Sequence, residues 1–163
     1  MSAAPRETGS SMSHESGNLK EYVTATVGGQ LFGLPILRVQ DVFKPERVTR
    51  VPLAPAEIAG VLNLRGRIVT LVDLRTRLDL PPAGDEPPQM AIGVEWRGES
   101  YGLLIDSIGE VLRLEDDARE PNPVNLDDGL ARMTLGVHRL DDQLLLVLDV
   151  ERVLDVAIAS MAA

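Results

Sequence analysis

Short apolar runs, rich in Val, Ile, Leu and aromatic side chains, recur along this chain between glycine- and proline-marked turns. Tyr22 to Val27 leads into Gly28-Gly29, a hairpin signal, and Gln30 to Leu34 reads as the return strand. Met90 to Trp96, Arg97-Gly98 and Glu99 to Ile105 repeat that pattern. Val61 to Leu64, Arg65-Gly66 and Arg67 to Val72 form another hairpin, with φ > 0 available at Gly66. Its counterpart is Val137 to Leu140, Asp141-Asp142 and Gln143 to Leu148. Helical signals are short. Pro55 to Ala59, with Pro at its first turn and Gly60 at its end, predicts one or two turns. Short strands with Gly/Pro turns predict an all-β chain of small barrels, not a parallel α/β sheet.

The two halves repeat each other. Gly29 to Ile36 aligns with Gly98 to Ile105 at an offset of 69, and Val39, Asp41 and Val42 continue against Ile108, Glu110 and Val111. Further on the offset is 76, matching Gly60-Val61 with Gly136-Val137, Asp73 with Asp149 and Leu78-Asp79 with Leu154-Asp155. The step implies an insertion of seven residues within 114–132. Two copies of a unit of roughly 60–70 residues follow, each too small to be comfortably stable alone. The expected organisation is a disordered tail over 1–18, subdomain 1 over 19–80, a Pro-rich linker over 81–88, subdomain 2 over 89–156 and a short tail over 157–163. Ile36, Leu71, Ile105 and Val147 are expected to be buried.

Composition narrows the chemistry. The 163 residues carry 16 Lys+Arg against 25 Asp+Glu, a formal net charge of -9. That balance argues against nucleic acid. Cysteine is absent, which excludes disulfides and thiolate metal sites and suits the cytoplasm. No apolar stretch approaches the roughly 18–20 residues that span a bilayer, and no apolar core of a secretory signal lies in 1–18. Two histidines, His14 and His138, cannot build a His-rich metal cluster. Neither lysine, Lys20 or Lys44, follows a glycine-rich phosphate loop, and no G-x-S-x-G is present. No cofactor is expected.

Asp73 and Asp149 are candidates for paired catalytic carboxylates. Each stands where a strand turns into a helix, and the preferred reading is an N-cap. Glu115-Asp116-Asp117 and Asp127-Asp128 lack the ligand spacing of a Ca²⁺ loop and read as solvated. His138 reads as a structural or surface strand residue, and Trp96 with Tyr101 as a cross-strand aromatic pair. Charge is uneven: residues 19–80 hold nine basic and six acidic side chains, residues 81–163 six basic and 17 acidic. Arg65-Gly66 becomes Asp141-Asp142 in the second copy, so one hairpin tip reverses sign. Two readings stay open: drift of solvated surfaces, or a polarised molecule that orients between two different partners. Periodicity leaves Val39, Val48 and Leu62 open between core and an exposed apolar strip, with core the default.

Several of these segments carry a family resemblance. Phe32-Gly33-Leu34, Ile36 to Val42, Val48-Thr49-Arg50-Val51-Pro52 and above all Gly60-Val61-Leu62-Asn63-Leu64-Arg65-Gly66-Arg67-Ile68-Val69-Thr70-Leu71-Val72-Asp73-Leu74-Arg75 resemble the chemotaxis coupling protein (CheW-like domain) family. The resemblance spans about residues 19–155, with Pro35 and the acidic second half as departures. It implies two five-stranded SH3-like β-barrels around a shared core, and a non-catalytic adaptor of a two-component chemotaxis system. Such an adaptor bridges methyl-accepting chemoreceptor cytoplasmic tips and the regulatory domain of the histidine kinase CheA, in the cytoplasm at membrane-associated receptor arrays. It implies a receptor or signalling surface at Val39, Gly60, Asn63, Leu64, Arg65 and Gly66, and a kinase-facing surface at Asp41, Val48, Thr49 and Arg50. The alternatives are a coupling protein of an array with a non-motility output, a detached kinase regulatory domain and, with little weight, a hydrolase using Asp73 and Asp149.

Overall fold

A computed structural model describes residues 19–81, 88 and 90–155; the expected tails, and the linker apart from Pro81 and Pro88, lie outside the described residues. Among the described residues, ten strands dominate. They are β1 (Leu19–Val27), β2 (Gln30–Pro35), β3 (Val39–Phe43), β4 (Ile58–Leu64), β5 (Arg67–Asp73), β6 (Met90–Trp96), β7 (Glu99–Ile105), β8 (Ser107–Glu115), β9 (Thr134–Arg139) and β10 (Leu144–Leu148). Three short α-helices punctuate them: α1 (Leu74–Arg77), α2 (Asp128–Arg132) and α3 over residues 150–155. The helix expected at Pro55 to Ala59 is a single turn, with the Ile58 N–H donating to the Pro55 carbonyl at 3.0 Å. Ile58 and Ala59 already belong to β4, where Ile58 pairs with Val72 of β5 and Ala59 lies in the register shift before Gly60.

The strands form two five-stranded, SH3-like sheets. Sheet A runs β8-β1-β2-β10-β9 and sheet B runs β3-β6-β7-β5-β4. Neighbours are antiparallel except β2 with β10 and β5 with β7. Each sheet therefore joins the first hairpin of one repeat to the last three strands of the other. The expectation that each sequence half builds its own barrel is corrected by this exchange. Hairpin chemistry fixes β1 to β2 and β6 to β7, but says nothing about which later strands adopt the hairpin's free edges. Neither strand order closes on itself by a ladder; a short bridge instead folds each connection back. Thr49 pairs with Val61 in sheet B, and Glu120 with Val137 in sheet A. The repeat is thus preserved as two-fold pseudosymmetry between interlocked halves.

The main core is shared by both sheets. Phe32, Leu34, Val137, Leu146 and Leu148 of sheet A pack with Ile58, Val72, Ile92, Leu103 and Ile105 of sheet B. Burial of each such side chain stabilises by roughly 1.5–3 kcal/mol before entropy is counted. Phe43, Leu62, Val69, Leu71, Ala91 and Leu104 fill a second core inside sheet B. Leu71, Ile105 and Val147 are buried as expected. Ile36 is only half-buried, because residues 36–38 form a 3-10 turn, not a strand. That turn is the crossing from sheet A to sheet B. It is tied by Arg38 to Glu151 of α3 at 3.3 Å. The reverse crossing, between β7 and β8, is tied by Asp106 to Arg75 of α1 at 2.6 Å.

Candidate interaction surface

The β4–β5 hairpin is a two-residue turn. Arg65 and Gly66 both take positive φ, at 54° and 84°. A two-residue turn of this hand matches strand twist, and Gly66 supplies the second position without steric cost. Asn63 holds the turn, its Oδ1 accepting the Gly66 N–H at 3.0 Å. The tip is therefore shaped by its own backbone and by Asn63, and the Arg65 side chain is left largely exposed. In the second copy the hairpin changes shape as well as sign: β9 ends at Arg139 and β10 begins at Leu144, so Asp141 and Asp142 lie in a longer connection.

Arg65 reaches across to β3. Its Nη1 lies 3.4 Å from Oδ2 of Asp41, whose side chain is 23% exposed against 74% for Arg65. β3 and β4 stand at opposite ends of the sheet B order, so this ion pair spans the seam where the sheet curls toward closure. Asp41 is itself seated over Gly93 of β6, where a Cβ would run into its carboxylate.

Gly60 governs the other side of the seam. Its φ is +151°, and a Cβ there would stand 2.5 Å from the Thr49 carbonyl oxygen and 2.7 Å from Val48 Cγ1. Its bareness lets the 48–50 segment lie against β4, where Thr49 and Val61 exchange two backbone hydrogen bonds of 2.8 Å. Gly136 repeats this beside Glu120.

The residues expected to face a receptor and those expected to face a kinase are thus brought together along one curled edge of sheet B. Val48, Thr49, Arg50, Asn63, Arg65 and Gly66 are exposed; Val39, Asp41 and Leu64 are half-buried; Gly60 is buried. Val39 packs against the main core while pairing with Val94. Leu62 is core at 4% exposure, and Val48 is exposed, which resolves the two possibilities differently for each. Ile68, directly opposite Asn63 and 62% exposed, joins the surface and was missed by sequence reasoning. Val69 and Leu71 share one buried face, which puts Ile68 on the other with Thr70 and Val72; that face is buried at Val72, so the alternation alone did not single Ile68 out.

Charge also separates by sheet. Residues 36–81 and 90–105, which build sheet B and its connections, hold nine basic and seven acidic side chains. Residues 19–35 and 106–155, which build sheet A, hold six basic and 14 acidic. The strand exchange leaves the polarity intact because the exchanged hairpins carry few charges.

Asp73 and Asp149 are engaged as caps. Asp73 accepts from the Arg75 N–H at 3.0 Å and from the Thr76 hydroxyl at 3.1 Å. Asp149 accepts from the Arg152 N–H at 3.2 Å. They stand at the ends of equivalent strands in different sheets. Among the described residues, no group of three or more His, Asp or Glu side chains is placed to hold a metal ion. Trp96 and Tyr101 meet edge-on with ring centroids 6.3 Å apart, and Arg97 covers Trp96 at 4.3 Å. Burial and the nearby Glu99 carboxylate push the Tyr101 hydroxyl pKa upward. Among the described residues, no helix is long and apolar enough to cross a membrane.

Comparison with known proteins agrees with this geometry. The chain matches the CheW-like domain family over residues 21–157. It is similar to the chemotaxis protein CheW of Helicobacter pylori, with 28% identity covering 88% of this chain and 87% of that protein. It is 31% identical to the chemotaxis protein CheW of Treponema pallidum, covering 81% and 80% of the two chains. Among solved structures it resembles the scaffolding protein TtCheW from Thermoanaerobacter tengcongensis, with a TM-score of 0.71 and 31% identity over 79% of this chain and 83% of that one.

Proposed function

The chain belongs to the CheW-like domain family, and from that premise we propose that it couples methyl-accepting chemoreceptor cytoplasmic tips to the regulatory domain of the histidine kinase CheA. It is a non-catalytic adaptor of chemotaxis signal transduction. The adaptor unit spans residues 19–156 and works in the cytoplasm at membrane-associated receptor arrays. Val39, Gly60, Asn63, Leu64, Arg65 and Gly66 form its receptor or signalling surface. Asp41, Val48, Thr49 and Arg50 form its kinase-facing surface.

The observation that carries this reading is the Arg65–Asp41 pair. It joins a residue of each surface across one seam, at an exposed tip whose conformation does not depend on the arginine side chain. A guanidinium there presents several donors in a fixed fork, suited to polar recognition at an interface. Half-exposed Val48 and Ile68 supply apolar contact beside it. A partner docking on one surface therefore touches a side chain that the other surface also uses, which is a physical route for coupling.

The test is co-precipitation of the full chain with a receptor cytoplasmic fragment and with the kinase, separately and together. Ternary assembly supports the reading. Binding of neither partner overturns it.

A further inference from the structure

His138 occupies a position that the fold fills differently in its other copy. The repeat aligns it with Leu62, a core residue of sheet B at 4% exposure. The architecture therefore accepts an aliphatic side chain here and does not require an imidazole. In sheet A the position carries a titratable ring that is 2% exposed, with no hydrogen-bond partner for Nε2. Tyr22, whose own repeat equivalent is Ala91, lies against it with ring centroids 5.7 Å apart.

Protons can reach this ring. His138 lines a solvent-open cavity of about 380 Å³ at the seam between the edge strands of sheet A, with Arg113 and Glu115 of β8, Glu120 of the following connection and Arg139 of β9. Arg139 is already held by Glu120 at 3.1 Å. Asp116 and Arg119 of the same connection also act on the ring, and Leu145, its partner on β10, contributes no charge. Burial first, and the Arg119 cation second, hold the imidazole pKa below its ordinary value against the opposing pull of Asp116 and Glu120.

The neighbouring residue, Val137, carries the backbone β-bridge that pairs the connection with β9, beside the Arg139–Glu120 ion pair and a hydrogen bond from the Asn122 side chain to the Thr134 carbonyl. The Glu120 N–H donates to the Val137 carbonyl at 2.8 Å, and the Val137 N–H donates back at 2.9 Å. We propose that His138 makes this edge of sheet A an acid-opened latch: protonation loosens the Glu120–Val137 bridge and opens the seam, while sheet B stays shut. A buried imidazolium beside Arg119 has no acceptor in place. It gains one by moving toward Glu120 or Asp116, which displaces the connection that the bridge holds. The equivalent Thr49–Val61 bridge next to Leu62 contains no such group.

The experiment is site-resolved amide exchange on the full chain at pH 7.5 and 5.5, each rate corrected for intrinsic exchange. Val137 and Glu120 report the sheet A latch; Val61 and Thr49 are the internal control. Protection at Val137 and Glu120 is expected to fall several-fold in acid relative to the control, and His138→Leu is expected to abolish that difference. An equal response in both sheets, or a response that persists in His138→Leu, overturns the proposal. His14 and His138 are the only imidazoles, so proton NMR titration of the unmodified chain gives a second measurement that does not depend on the variant folding. A His138 midpoint below 6.5 supports the latch; a midpoint at or above it overturns the latch.

Discussion

The Arg65 guanidinium and the Asp41 carboxylate meet at 3.4 Å across the seam between the two edge strands of sheet B, 24 residues apart in the chain. With Arg65 mostly exposed, the pair contributes about 0–1 kcal/mol to folding. Its value lies in what it presents. If the two surfaces communicate through it, Arg65→Ala and Asp41→Ala should impair receptor control of the kinase non-additively. A double-mutant cycle on coupled kinase activity checks this, and fully additive losses would count against a shared element.

Gly60 and Gly66 are both in the proposed receptor surface but do different work. Gly60→Ala drives a methyl into the Thr49 carbonyl and should cost on the order of 3 kcal/mol. Gly66→Ala meets nothing within 4 Å and carries only the backbone penalty, about 1–2 kcal/mol. Thermal or denaturant melts should rank the two in that order.

The helix caps give a second graded pair. Asp73→Ala removes an acceptor of two hydrogen bonds, and Asp149→Ala an acceptor of one backbone hydrogen bond and a looser 3.7 Å ion pair with the largely exposed Arg152 side chain, so the former should cost more, within about 0.5–2 kcal/mol each. A hydrolase panel on these variants and the parent chain should show no turnover in any of them.

Stability should form a plateau bounded on both sides by buried rings. The folded His138 pKa is lowered, so the unfolded chain binds more protons below 6.5, and its contribution is lost as pH falls from that value toward the folded pKa. Tyr22 and Tyr101 are raised, chiefly by burial, so their contributions are present below 10.0 and lost as pH rises through that value toward the folded pKa. Denaturant midpoints measured across this range should be flat between and fall outside. His138→Leu should remove the histidine part of the acid slope and leave the alkaline limb unchanged.

The sequence disclosed hairpins, repeat and caps because each is local: Gly28-Gly29, Arg65-Gly66 and Arg97-Gly98 announce their own turns, and Asp73 its own helix. It did not disclose the exchange of strands, since the pattern of β2 is equally satisfied by β5 or by β10 as a neighbour. The burial of His138 was legible only through its alignment with Leu62. The meeting of Arg65 with Asp41 depends on how far sheet B curls, which no side-chain period encodes. Ile36 failed its expected burial because its repeat partner Ile105 ends a strand where Ile36 enters a 3-10 turn.

The most direct test of the account is Arg65→Glu, assayed on one preparation for thermal stability and for receptor-dependent kinase activity in a reconstituted receptor, adaptor and kinase complex. The tip is held by Gly66 and Asn63, so the melting temperature should stay within a few degrees of the parent, the range of a surface substitution. Receptor control of the kinase should be lost, because the reversed charge faces both Asp41 and the partner that reads this tip. A variant that folds and couples like the parent chain, or one that loses coupling only because it no longer folds, would contradict the assignment of Arg65 to coupling.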